Sequence, residues 1–301
     1  MDRLVEITEK PVSEEIYMIA GWEQWADAGA ISSGLPPYLV ERTGAQRIGE
    51  IKPDGFYIFQ VPGTHHFLRP EIKLEGGYRQ SLSAHTNRFF YTGDEQRGLV
   101  VFLGEEPHTN AERYADAFLD AVEAFGVKRV VALGGVYGAM PYDKAREVHC
   151  IYSLPTMKDE LSRYAVKFSD YEGGVTISTF IADRAERRGI EMLAFYAFVP
   201  SYDFSQEFDT FQGVRLESDS RAWYEVMRRL NYMFGLPIDL SGLQQRSEEL
   251  MAGMDAKLAE LEKEMPQLHV RHYLEKVSHD FEEDPFLPLD DMWERELRDI
   301  L

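Results

Sequence analysis

Residues Gly98 to Gly138 constrain this chain more than any other stretch. Leu99-Val100-Val101-Phe102-Leu103 is an unbroken apolar run, the pattern of a strand covered on both faces. It ends in Gly104-Glu105-Glu106-Pro107. From Asn110, a residue type suited to an N-cap, apolar residues recur at helical spacing through Tyr114, Phe118, Ala121, Val122 and Phe125, and Gly126 provides a stop. Val130-Val131-Ala132-Leu133 then repeats the buried-strand pattern and closes in Gly134-Gly135-Val136-Tyr137-Gly138. Strand, helix and strand in this order predict a right-handed parallel crossover, and hence an α/β protein.

The flanking sequence extends that unit. Glu15 to Ala20 predicts a first core strand, followed by a helix that begins near Asp27 and runs towards Val40, with Pro36 and Pro37 expected to break or bend it. Ile48–Ile51 and Phe56–Phe59 read as short strands joined at Pro53-Asp54-Gly55, and Val61 to Gly77 as loop. Arg88–Tyr91, Val148–Tyr152 and Met192–Val199 read as further strands. Helices are expected over Pro155–Val166, from Ile177 to a stop at Gly189, and over Ser218–Phe234. After Pro237 the composition changes. Leu243, Leu250, Met254, Leu258, Leu261, Met265 and Leu268 follow spacings of mainly three and four, an amphipathic helix interrupted by Pro266. The chain is therefore divided into an α/β core, residues 1–236, and a C-terminal helical extension with an acidic tail, residues 237–301. That extension can pack on its own domain or form a seam between subunits; the seam reading requires Met254, Leu258 and Leu261 to be buried only in an oligomer.

Composition excludes several classes. A net charge of −20 over 301 residues opposes binding to nucleic acid and to anionic membrane surfaces. The single cysteine, Cys150, rules out a disulfide framework and a cysteine zinc cluster, and its strand-like setting predicts a small buried hydrophobe. No apolar run approaches the roughly 20 residues of a membrane span, and Met1 to Lys10 lacks a signal-peptide core, so a cytoplasmic protein is expected.

In an open parallel sheet the turns after the strands share the carboxyl edge, where ligands bind at the reversal of strand order. Asp27, Glu105, Glu106, His108 and Tyr202 all follow such strands, so a cleft lined by these five residues is the candidate catalytic site. Crowded carboxylates there can serve as acid and base. The alternative is structural, with Asp27 capping a helix and the glycines making tight turns. No metal site is expected: His65 and His66 are adjacent in an extended loop and point apart, and His269 and His272 lack a third ligand. No cofactor is expected either. Gly134–Gly138 lacks dinucleotide spacing, and there is no phosphate-binding loop, His-Glu-x-x-His or Gly-x-Ser-x-Gly.

The ordered set of turns resembles the proteasome assembly chaperone 2 family. The matching pieces are Gly21-Trp22 with Trp25-Ala26-Asp27-Ala28-Gly29, Phe56-Tyr57 followed by Arg69-Pro70, Gly104–Pro107 and Leu133–Val136. They continue with Tyr171-Glu172-Gly173, Val199–Tyr202, Asp239–Leu243 and the helix ending near Tyr273-Leu274-Glu275. The resemblance implies a three-layer fold of the phosphorylase/hydrolase-like type, a mostly parallel sheet between helices. It further implies a homo-oligomer, often a trimer, with a chaperone-like or scaffolding role and no catalytic residues to carry over. Some archaeal members dock on proteasomes through a tail of hydrophobic residue, Tyr and any residue. Asp299-Ile300-Leu301 lacks the Tyr, so tail docking is not expected. The loop that reads Pro-His-Thr-Arg-Pro in the family is Met140-Pro141-Tyr142-Asp143-Lys144, which removes any role for that histidine and arginine. The leading expectation is a non-catalytic homo-oligomer of chaperone-like or scaffolding role, with proteasome subunits as a candidate partner, and it predicts that Met254, Leu258 and Leu261 are buried only in the oligomer; the alternative is a small-molecule hydrolase or transferase using the carboxyl-edge cleft.

Overall fold

The architecture follows from four long strands whose two faces are both apolar. In the computed structural model, which describes residues 4–60, 69–203 and 213–287, these are β2 (Glu15–Glu23), β7 (Arg97–Glu105), β8 (Val127–Gly138) and β11 (Met192–Tyr202). They lie side by side and parallel in the order β7-β2-β8-β11. Antiparallel strands extend the edges: β6 (Arg88–Gly93), β3 (Gln46–Ile51) and β1 (Val5–Ile7) on one side, and β9 (Val148–Tyr152) on the other, where the short β10 (Lys167–Phe168) adds in parallel. β12 (Val214–Arg215) pairs with the end of β11. A separate hairpin, β4 (Glu71–Glu75) and β5 (Tyr78–Ser83), stands apart from this sheet.

Alternation along the central strands divides the core in two. Ile16, Met18, Ala20 and Trp22 of β2, with Val100 and Phe102 of β7, face α2 (Ala111–Ala124) and α4 (Ile177–Arg188). Tyr17, Ile19, Leu99 and Val101 face the opposite layer, α1 (Leu35–Thr43), α5 (Ser220–Phe234) and α6 (Ser241–Glu264). The short α3 (Lys158–Leu161) and the terminal α7 (Val270–His279) complete the helices. The expected α/β sheet between helix layers is therefore present, with Cys150 buried in it.

Five local expectations change. The segment after Asp27 forms only a 3-10 turn, Ala28–Ala30, and the α-helix begins at Leu35. Pro36 and Pro37 lie in its first turn, where an N–H has no helical acceptor, so they start the helix instead of bending it. Phe56–Phe59 is a turn: Phe56 is buried and its carbonyl accepts from His108 N (2.9 Å) and Thr109 N (3.1 Å). Asn110 takes a left-handed conformation and donates its side chain to the Gly55 carbonyl, 2.7 Å away, instead of capping α2. Met254 and Leu258 are each 4% exposed in the single chain, and Leu261 packs on the same cluster, so the seam reading of α6 is not met, and this consequence of the scaffold expectation fails with it. His65, His66 and Asp299-Ile300-Leu301 lie outside the described residues.

Candidate functional site

The reversal of strand order falls between β2 and β8, so the crevice beyond their carboxyl ends is where a ligand would enter. The chain itself occupies it. Gln24 Nε2 donates to the Leu133 carbonyl (3.0 Å), Gly135 N donates to the Ala26 carbonyl (2.9 Å), and Asp27 bridges to Gly135. The two glycines make this approach possible. A Cβ on Gly135 would lie 2.0 Å from the Ala28 carbonyl oxygen, and one on Gly134 would lie 2.4 Å from the Tyr196 ring.

Asp27 is committed to holding this segment. Its Oδ1 accepts from Ser32 N (2.7 Å) and Ser33 N (3.0 Å) at the entrance to α1. Burial raises its carboxyl above the ordinary aspartate range, and the Ser33 and Ser32 donors oppose that rise. A raised pKa in the folded state means that the ionised group contributes less to stability as pH climbs through that pKa. Asp27→Asn keeps an acceptor and removes the charge. It is expected to match or exceed the parent's urea midpoint at neutral pH, with the gain vanishing in acid. Asp27→Ala loses the acceptor and is expected to cost about 1 kcal/mol. Equal loss in both variants would contradict this assignment.

Glu106 is likewise tied to backbone. Its Oε2 accepts from Trp25 N and its Oε1 from Ile177 N, each at 3.2 Å. Ile177 opens α4, where a carboxylate also meets the positive end of the helix. Glu105 sits differently. Its carboxylate takes His85 Nδ1 and Thr86 N (2.8 Å), and the His85 ring stacks on Tyr57 with centroids 4.2 Å apart. His108 stands edge-on to both rings at 5.5 Å and accepts from Ile58 N (3.1 Å). Beneath them Asn87 Oδ1 accepts from Tyr57 Oη (3.0 Å), Tyr114 Oη (2.7 Å) and Glu105 N (3.2 Å), and Trp22 Nε1 donates to Tyr114 Oη (2.9 Å). Burial raises both phenols; burial and the neighbouring His85 lower the His108 imidazole. His85 Nε2 is buried with no hydrogen-bond partner among the described residues. A carboxylate-oriented imidazole with one free nitrogen has the geometry to move a proton.

Of the five sequence candidates, Glu105 and His108 come together. Asp27 and Glu106 hold backbone nearby, and Tyr202 belongs to the opposite core layer, donating to the Met140 carbonyl (2.8 Å). Tyr57, part of the Phe56-Tyr57 piece of the family resemblance, joins them, and His85 and Asn87 complete the cluster; these two carry no sequence signal, because only pairing of β6 with β7 brings residues 85–87 beside Glu105. Among the described residues no group of three or more His, Cys, Asp or Glu is placed to hold a metal ion. A broad open cleft of about 750 Å³ lies instead at the amino end of β7. Its arginines are engaged, Arg42 with Asp239 (2.6 Å) and Arg97 with the Gly235 carbonyl (2.5 Å).

The model of the PAC2 family matches residues 21–258. Among solved structures, a PAC2 family protein from Streptomyces avermitilis is 24% identical, with a TM-score of 0.69 over 86% of this chain and 99% of its own. A proteasome-assembly chaperone homologue from Mycobacterium tuberculosis is 21% identical, with a TM-score of 0.68 over 81% and 96%. An archaeal proteasome activator from Pyrococcus furiosus is 17% identical, with a TM-score of 0.57 over 84% and 97%. At these identities the likeness is one of fold. No curated protein sequence matches.

Proposed function

This chain belongs to the PAC2 family, and from that premise we propose that it is a chaperone-like scaffolding protein that engages proteasome subunits without catalysing a reaction. In this reading it acts in the cytoplasm as a homo-oligomer, for which the family resemblance implies a trimer. The observation that carries the non-catalytic part is the switch-point crevice, filled by Gln24–Ala28, with Asp27 and Glu106 beside it held on backbone donors. The surface over that segment suits a protein partner. Trp25 is 71% exposed and its ring lies against Gly174, Tyr171 is 67% exposed and folds over Gly173, and Val175 is 56% exposed. Exposed aromatic residues of this kind are common anchors at interfaces. Affinity capture of the tagged chain from its host is expected to retain proteasome α-subunits in fixed ratio. Capture of the chain alone would count against this role.

A second reading, a hydrolase or transferase acting on a small molecule, is supported by one observation, the Nε2 of the Glu105-held His85, which has no hydrogen-bond partner among the described residues. It requires a turnover that His85→Gln abolishes while folding and partner capture persist.

A further inference from the structure

The β4–β5 hairpin is made by local sequence. Gly76 and Gly77 both have positive φ (55° and 83°), the backbone of a tight hairpin turn, and Ile72 pairs with Leu82 across the ladder. All eleven strand residues are exposed, and among the described residues neither outer edge is paired. Ile72 and Leu74 (56% each) and Leu82 (52%) are bare apolar groups. An isolated two-stranded hairpin is marginal in water; further strands make it stable. The two edges are not equivalent. The register shift between Lys73 and Leu74 places the extra residue, Gln80, on β5, which bends that strand and leaves β4 as the regular edge.

The sequence of that edge is Glu71-Ile72-Lys73-Leu74-Glu75. Its charges read minus, plus, minus on one face, with two aliphatic residues on the other. Antiparallel pairing of two copies about a two-fold axis at Lys73 sets Lys on Lys and Glu on Glu. Centring the axis at Ile72 sets Glu71 opposite Lys73 twice and Ile72 opposite itself. Centring it at Leu74 sets Lys73 opposite Glu75 twice and Leu74 opposite itself. Opposite charges facing across strands stabilise and like charges destabilise. The hairpin also carries Arg79, so Glu71, Glu75, Lys73 and Arg79 cancel, whereas the chain as a whole carries −20. Two copies can therefore meet at a locally neutral patch of an otherwise acidic chain.

We propose that β4 is a self-complementary edge that joins two copies of this chain into a continuous four-stranded sheet about a two-fold axis. This rests on the homo-oligomer part of the reading above and is independent of the proteasome part. The joint is isologous, so the assembled mass is an even multiple of the protomer; where other contacts build the trimer of the reading above, β4 joins two trimers into a hexamer, and its loss leaves the trimer.

The test is light-scattering mass and sedimentation of the full chain. Lys73→Glu makes the edge all-acidic, and Glu71→Lys with Glu75→Lys makes it all-basic. Each variant is expected to halve the assembled mass and to weaken association on the order of 10- to 100-fold. An equimolar mixture of the two is expected to restore the parent mass, because an acidic edge then faces a basic edge in either register. Replacing residues 71–83 with a short Gly-Ser turn is expected to halve the mass as well, with the circular dichroism of the core retained. A parent that is monomeric or an odd multiple across micromolar to millimolar concentrations overturns the proposal. So do variants that keep the parent mass, or a mixture that fails to restore it. Retained capture of α-subunits by a half-mass variant leaves the partner reading standing; loss of α-subunit capture with the mass result intact refutes that reading alone.

Discussion

Asp219→Ala is expected to destabilise the protein by about 3–5 kcal/mol, the cost of removing one partner of a buried ion pair. Asp219 is fully buried and Arg146 is 1% exposed. Asp219 Oδ2 accepts from Arg146 Nε (2.8 Å), while its Oδ1 accepts from Arg221 N and Ala222 N (3.0 Å each) and caps α5. Its own N–H donates to the Gly29 carbonyl (3.0 Å), and Arg146 also donates to the carbonyls of Tyr142 (2.9 Å) and Lys144 (3.0 Å). One pair thus joins the turn after β2, the loop after β8 and the start of α5. Arg146→Met strands the carboxylate and is expected to cost a similar amount. The two residues share one network, so the double variant is expected to fall short of the sum by about 1–3 kcal/mol. Denaturant midpoints at neutral pH with unchanged slopes measure this; full additivity would contradict the shared network.

Met254→Ala and Leu258→Ala are each expected to cost about 2–5 kcal/mol through lost burial and the cavities left behind. Both side chains are 4% exposed and share the cluster of Trp223, Val226 and Leu230 on α5. The loss is expected to be independent of protein concentration, because the burial is within one chain. Variants of normal stability but reduced assembled mass would return α6 to the subunit seam. Leu261 is only partly buried at the edge of the same cluster, so Leu261→Ala is expected to cost less.

The legible parts of the fold are those in which burial dominates the pattern. Val100, Phe102, Val130 and Ala132 face one layer and Leu99, Val101, Val131 and Leu133 the other, so runs without a polar break announce a sheet covered twice. The hairpin β4–β5 was hidden for the opposite reason: its charged, alternating residues bury nothing within the chain and look like loop. Phe56–Phe59 misled because a four-residue apolar run has no period; only Phe56 is buried, as the anchor of a turn, and Phe59 is 62% exposed. The site was half legible. Glu105 and His108 follow a strand end and were found by that rule. Glu106 obeys the same rule but spends its carboxylate on Trp25 and Ile177 amides, a partnership set by α4 some 70 residues later. His85 has no local signal, since its partner Glu105 reaches it only across the β6–β7 ladder. Arg146 shows the same limit: sequence gives a charged loop residue, and only packing reveals a buried guanidinium on Asp219.

The central claim, that the carboxyl edge of this PAC2 chain is a protein-docking surface, is tested most directly with purified components. The chain and α-subunits of its host's proteasome are mixed and the complex is followed by sedimentation, with Trp25→Ala as comparison. The account predicts a stoichiometric complex that Trp25→Ala weakens by tenfold or more, an effect on the order of 2 kcal/mol at an exposed aromatic anchor. Absence of a complex, together with turnover of a small molecule that depends on His85, would contradict it and establish the enzymatic reading in its place.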